Sequence, residues 1–387
     1  MVCEGSFLIL VINILNQRLE IKILSNKINL KNIYNITNIY SIYGSLNDKN
    51  ISKKKVLIFE PFSYHYECTP GFSKYFIDLG YNVDIIMRNA GLSSFAFFKD
   101  INKIRFFIHN DIKDIKKYSK YISFSINKYD YVLIETANKY SFSLYKSLNI
   151  LNINHSIFVF HHLDYLKGLS PYIKLNKMQA WSLGNFENWT QVNPHYFGNI
   201  CIRKKNRITR FFIISTIKRN YEYLISAAEI IKAENLEFQV IVVGKWKTFT
   251  EKNISEKIKE NFTFKYNISY SELYNEVNNS DFIIINLDPN NKQNNDFKTN
   301  RVTGSAQLSY GFLKPVIINA KFAPIYYFNK ENSFIYENSN FTDTIRNAIS
   351  LNMKNEQYQK MKENLSKSED YIYKISLRNV NICINHL

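Results

Sequence analysis

The chain has 387 residues, enough for two or three domains, and its 45% hydrophobic and 16% aromatic content excludes a wholly disordered protein. Lys and Arg outnumber Asp and Glu by 50 to 33, a formal net charge of +17. A surplus of that size favours an anionic partner (nucleic acid, a phospholipid surface or a phosphorylated substrate), although the Asn-, Ile- and Lys-rich bias of an AT-rich gene also raises lysine without functional meaning.

The apolar run at 7–15 is too short to span a membrane, and Glu4 stands where a signal peptide has a basic region. The stretch before Lys53 therefore reads as an extension, 1–52, that is disordered, membrane-peripheral, an added strand or upstream sequence. The cysteines Cys3, Cys68, Cys201 and Cys383 form no CxxC pair, which argues against a zinc ribbon or a disulfide framework and fits a reducing cytoplasm.

Ordered sequence starts at Lys53. A basic lead enters an apolar strand at 56–59, closed by Pro61, then come a loop, a helix at 71–80 ended by Gly80, and a strand at 82–87. Further strands are expected at 104–108, 131–134, 156–160 and 190–192. After the basic linker 203–207 the alternation restarts: strand 210–214, helix 221–232, strand 238–243, strand 262–265, helix 271–278 with Ser271 as cap, and strand 282–286. A polar loop at 288–299 leads to a helix at 304–312, strands at 315–319 and 334–336, and helices to the end. Two β/α runs joined by a short linker predict an α/β protein with two doubly wound, Rossmann-like domains facing a cleft, 53–204 and 205–387.

The second run resembles the donor domain of GT-B glycosyltransferases of the group 1, family 4-like type. The resemblance rests on a strand followed by Lys218-Arg219-Asn220, a strand ending Gly244-Lys245, the passage Tyr270-Ser271-Glu272-Leu273, and above all Thr303-Gly304-Ser305-Ala306-Gln307 running on to Lys314-Pro315-Val316-Ile317. It implies a hexosyltransferase-like enzyme of polysaccharide or cell-envelope synthesis, moving sugar from a nucleotide donor (UDP- or GDP-sugar) to a glycan or lipid-linked acceptor. It implies no cofactor, and a cytoplasmic place with peripheral contact to anionic membrane, for which the aromatic and basic stretch 94–120 is one candidate face. Two glutamates with seven residues between them mark retaining members of that family; here Asn300 and Leu308 stand in their places.

Elementary chemistry supports the same donor site. Ligands of open α/β sheets bind beyond the carboxyl ends of strands, and a helix N-terminus offers unpaired N–H groups to an anion. Lys218, Arg219, Asn220, Lys245 and Arg301, with Thr303, Gly304, Ser305 and Gln307 at the helix start, would hold a diphosphate and stabilise its growing charge without a metal. The first domain would bind the acceptor and supply a base: His65 with Glu67 after the first strand, or His162 with Asp164 after 156–160. The absence of Asp-x-Asp, Gly-x-Gly-x-x-Gly and Gly-Lys-Ser/Thr motifs argues against metal-dependent GT-A enzymes, dehydrogenases and P-loop NTPases. No nucleic-acid module is present, so no nucleic-acid partner is expected. A degenerate binding protein of the same fold and a nucleotide-sugar epimerase stand as alternatives.

Overall fold

The computed structural model describes residues 33–35 and 54–387, except 63, 118, 120, 121, 123–125, 139, 153, 166–178, 187–188, 199–207, 216–218, 245–248 and 352–354. Strands β1 (Ile33–Asn35), β2 (Lys55–Glu60), β3 (Asn82–Arg88), β4 (Ile104–His109), β5 (Tyr131–Ile134), β6 (Ser156–Phe160), β7 (Ala180–Ser182) and β8 (Thr190–Gln191) form one sheet, in the order β1-β4-β3-β2-β5-β6-β7-β8. Strands β9 (Thr209–Ser215), β10 (Phe238–Gly244), β11 (Phe262–Tyr266), β12 (Phe282–Ile285), β13 (Val316–Asn319) and β14 (Ser333–Tyr336) form the other, in the order β11-β10-β9-β12-β13-β14. Every neighbouring pair is parallel. The fold is therefore α/β with two doubly wound sheets, and the order reverses at β2/β5 in the first and at β9/β12 in the second.

Among the described residues the α-helices are α1 (Thr69–Asp78), α2 (Ile112–Lys117), α3 (Phe142–Ser147), α4 (Glu222–Ala233), α5 (Tyr270–Asn278), α6 (Asp296–Thr299), α7 (Gly304–Phe312), α8 (Phe341–Ser350) and α9 (Glu356–His386). Local chemistry sets their limits. Pro70 occupies the first turn of α1, where its missing N–H costs nothing, and Gly80 turns the chain away at φ 86°. The cap of α5 is Ser269, not Ser271: its hydroxyl accepts the N–H of Glu272 while the Glu272 carboxylate accepts the N–H of Ser269. That reciprocal box needs the serine three residues before the glutamate, a spacing Ser271 lacks. The polar stretch 288–299 also departs from the expected loop, since it contains a 3₁₀ turn (Lys292–Asn294) and α6.

Sequence reading missed β7 and placed no strand with certainty before Lys53, where β1 adds an edge beside β4. Both are three-residue strands, too short to show a period. Within the stretch 94–120, Phe95, Phe98, Phe106 and Phe107 are buried, so these rings contribute to the cores rather than to the surface. Among the described residues no helix is long and apolar enough to cross a membrane.

The chain crosses between the sheets along Asn193-Pro194-His195-Tyr196-Phe197. Helix α9 then packs across both halves. Leu365 and Ile372 join the apolar core around β12 and α7, whereas Val380, Cys383 and Ile384 join the core around β2 and Trp181. Trp181 Nε1 donates to Cys383 Sγ at 3.3 Å, and the Asn193 N–H donates to Ser376 Oγ at 3.0 Å. Helix α7 lies hard against the crossing segment: a methyl on Gly311 would stand 2.3 Å from the His195 carbonyl oxygen and 2.2 Å from the Phe197 ring. Gly311→Ala is expected to destabilise the protein by about 1–3 kcal/mol, the usual cost of overpacking, as read by urea unfolding; unchanged stability would show that the seam can open at no cost.

Candidate active site

The carboxyl ends of the two sets of strands face each other, and side chains from one side touch the other. The switch point of the first sheet carries two carboxylic acids. Glu60 ends β2 and Glu135 follows β5; both side chains are fully buried. Glu60 accepts the Phe62 N–H at 3.0 Å and the Thr136 hydroxyl, and Glu135 accepts the Thr69 hydroxyl at 2.8 Å. Burial pushes Glu60 up to about 8, opposed by those hydrogen bonds and reinforced by Glu67. Burial, with Glu60 beside it, likewise raises Glu135 well above the ordinary carboxylate range.

The loop after β2 supplies His65 and Glu67. His65 Nδ1 lies 3.3 Å from Glu67 Oε1, and Tyr270 on α5 of the opposite half donates its hydroxyl to Glu67 Oε2 at 2.8 Å. Burial would raise Glu67, but the hydrogen bonds and charge from His65 and the Tyr270 hydroxyl outweigh it, and the acid stays below its ordinary value. The His65 ring stacks on His161 at 3.6 Å between centroids, 8° from parallel. His161 Nε2 donates to the Glu135 carbonyl at 2.9 Å, and burial followed by the neighbouring His65 holds it neutral, well below its ordinary pKa.

His162 points elsewhere. Its backbone forms an antiparallel bridge with Arg301, and the Leu163 N–H donates to the Asn300 carbonyl at 3.0 Å. The Asp164 N–H donates to His162 Nδ1 at 3.3 Å, which leaves the ring proton on Nε2, 3.4 Å from Asp296 Oδ2. Asp164 Oδ2 itself is 3.7 Å from Nδ1. The structure thus sets His65 beside Glu67 and His162 beside Asp164, but both nitrogens of His162 already face polar partners.

On the other side, the guanidinium groups of Arg219 and Arg301 both lie over the ring of Phe297, 4.6 and 4.4 Å from its centroid. Arg219 Nη1 and Arg301 Nε are buried and have no hydrogen-bond partner. Burial lowers Arg219 to about 10, with Arg301 opposing its charge and nearby tyrosines favouring it, so it remains a cation at neutral pH. Beside them Thr303 stands at the cap position before α7 but its side chain makes no cap hydrogen bond, and the space above Gly304 is open. Thr303 and Ser305 are buried in this first turn. Gln307 reaches across to Cys68, accepting from its thiol at 3.9 Å, while its Nε2 is buried and unpartnered. Leu308 is buried in the apolar core and cannot take the place of a carboxylate facing a ribose. Asn220 spends its side chain on the entry to α4, accepting the Glu222 N–H at 2.9 Å. Lys218 and Lys245 lie outside the described residues. Sequence reading missed Phe297, which it placed in a loop, and the Tyr270 bridge; only a fold-level alignment of the two halves puts them at the site. Among the described residues no group of three or more His, Cys, Asp or Glu is arranged to hold a metal ion.

No protein-family model matches the chain, and no curated protein matches it in sequence. The fold, however, is that of solved glycosyltransferases of GT-B type. A glycosyltransferase from Rickettsia africae superposes with a TM-score of 0.54 at 16% identity, over 86% of this chain and 98% of that one. HepE of Anabaena, solved with UDP and glucose, gives 0.52 at 10% identity, over 86% and 100%. TarM gives 0.50 at 12% identity, over 87% and 100%.

The buried acid at the switch point sets a pH dependence. Above 4.5 the unfolded chain releases a proton that folded Glu60 retains up to about 8. Stability is therefore expected to fall as pH rises through that window, by several kcal/mol in total, and Glu60→Gln should remove this part of the fall. Urea unfolding across the window measures it; equal slopes for the two proteins would rule out a neutral Glu60.

Proposed function

We propose that the chain is a glycosyltransferase that takes sugar from a nucleotide-sugar donor. The observation that carries this is the pair of arginines over Phe297, each with a buried N–H lacking a partner, beside an open and uncapped helix start. Buried donors without partners are rare in folded proteins, and two cationic ones side by side call for a multiply charged anion. A diphosphate fits, and UDP in the HepE structure supports the choice. Arg219, Arg301 and the N–H groups at Gly304 and Ser305 would take up the charge that develops on the leaving diphosphate, with no step assigned to a metal. Ser305 and Gln307 offer uncharged hydrogen bonds to the nucleoside where the family's glutamate is missing.

The acceptor lies on the first half. His65 is the proposed base. Glu67 holds its Nδ1 proton, so Nε2 is the basic nitrogen, and Glu67 stabilises the imidazolium formed when an acceptor hydroxyl gives up its proton. Tyr270 keeps Glu67 in place from the donor side, so the base is aligned when the two halves are apposed. His162 and Asp164 then belong to the seam that carries Arg301. The acceptor is a glycan or lipid-linked sugar of the cell envelope, reached from the cytoplasmic side.

Arg219→Gln and Arg301→Gln should each weaken UDP binding about tenfold or more, from the ~1.5–3 kcal/mol of a charged hydrogen bond, as measured by calorimetry. Unchanged affinity in both would remove the diphosphate assignment. His65→Ala should leave UDP affinity intact and lower turnover about 100-fold or more. Turnover that survives in His65→Ala but is lost in His162→Ala would transfer the base to His162.

A further inference from the structure

A second set of buried polar atoms lacks partners, on the first sheet alone. Arg88 ends β3 and His109 ends β4, and the two are register partners. Arg88 Nε and His109 Nε2 are buried without a hydrogen bond, and the buried Tyr66 hydroxyl faces the Arg88 backbone N–H but has no acceptor for its own proton. Arg88 forms no ion pair with any described residue, and its charge acts on both Tyr66 and His109. Tyr66 sits between His65 and Glu67 in sequence, and its ring meets Tyr270 edge-on at 6.4 Å, so this place adjoins the base. Gly91 makes room for it: a methyl there would stand 2.9 Å from the Tyr66 ring.

Two buried polar groups beside one unpaired guanidinium define a recognition site. We propose that Arg88, Tyr66 and His109 form a subsite for an oxyanion, the carboxylate or phosphate group of an anionic sugar acceptor. The inference rests on the acceptor side of the glycosyltransferase reading. Arg88 and Tyr66 are donors in every protonation state available near neutral pH. His109 directs Nδ1 at the Asp111 carbonyl oxygen, 3.1 Å away, which puts its ring proton there and leaves Nε2 bare. Burial, opposed by that hydrogen bond and reinforced by the Arg88 charge, holds its pKa down to about 4. An oxyanion beside Nε2 reverses the balance and draws a proton onto that nitrogen, completing three donors. The carboxyl groups that also act there are Asp111 and Asp114 on His109 and Glu60 and Glu135 on Tyr66, and burial raises Glu135 well above the ordinary carboxylate range. Glu60 is protonated at neutral pH and so does not repel the ligand. An acceptor anchored here by its charge presents a hydroxyl to His65.

The experiment uses the full chain saturated with UDP, so that anions cannot occupy the arginines over Phe297. The His109 ring nitrogens are followed by NMR during titration with glucuronate, inorganic phosphate and glucose. Glucuronate or phosphate should move Nε2 toward its protonated position and glucose should not; the tighter of the two anions identifies the acceptor's group. Arg88→Gln should weaken that anion about tenfold or more and leave UDP affinity unchanged. Tyr66→Phe should weaken it as well, and serves if Arg88→Gln does not fold. Silence to both anions while UDP binds, an equal response to glucose, or full anion affinity without Arg88 would each overturn the subsite. Failure of UDP to bind at all would instead overturn the donor reading, and the anion titrations would still report on Arg88.

Discussion

The site depends on one mechanical condition: the two sheets must be held with their strand ends opposed. Side chains that would act on one substrate come from both halves. Glu67 is fixed by Tyr270, Cys68 meets Gln307, and the His162 strand end pairs with Arg301. None of these contacts is strong alone, since a single hydrogen bond contributes about 1 kcal/mol. They become dependable because the crossing segment at His195 and the long helix α9 fix the two cores together. His195 itself is fully buried and lies 3.0 Å from Glu369 on that helix, a paired imidazole at the centre of the seam.

Within that frame the two halves divide the electrostatics. The second half presents Arg219 and Arg301, each with a buried N–H that makes no hydrogen bond. The first half buries acids, and burial neutralises Glu60 and Glu135 while hydrogen bonds keep Glu67 ionised. Three carboxyl groups close to one another thus differ in charge because their surroundings differ.

Much of this was legible in the sequence. Apolar runs of four to seven residues, closed by Pro or Gly, marked the parallel strands, since strands buried on both faces show as continuous apolar stretches. The start of α7 was visible as Thr303-Gly304-Ser305 before an apolar run. The positions of His65, Glu67, His162 and Asp164 after strands were legible for the same reason. So was the pairing of His65 with Glu67; what was not legible is the partner each receives from the other half, Tyr270 for Glu67 and Asp296 for His162, because those contacts join segments more than a hundred residues apart. Phe297 was hidden by its polar surroundings, where the Asn-rich stretch masks the short helix that presents it. The alignment of Arg219 with Arg301 depends on contacts between segments about eighty residues apart, which no local pattern records.

The long helix has a further consequence for how the molecule is made. Trp181 and its partner Cys383 are separated by 202 residues of chain, so the first core stays open until the whole second half has been synthesised. During translation the first sheet must wait with an unfilled apolar groove beside Trp181, while the second can close most of its core on its own. Assembly of the cleft is thereby placed last, and the groove waiting for Val380, Cys383 and Ile384 is where a chaperone has the longest opportunity to bind.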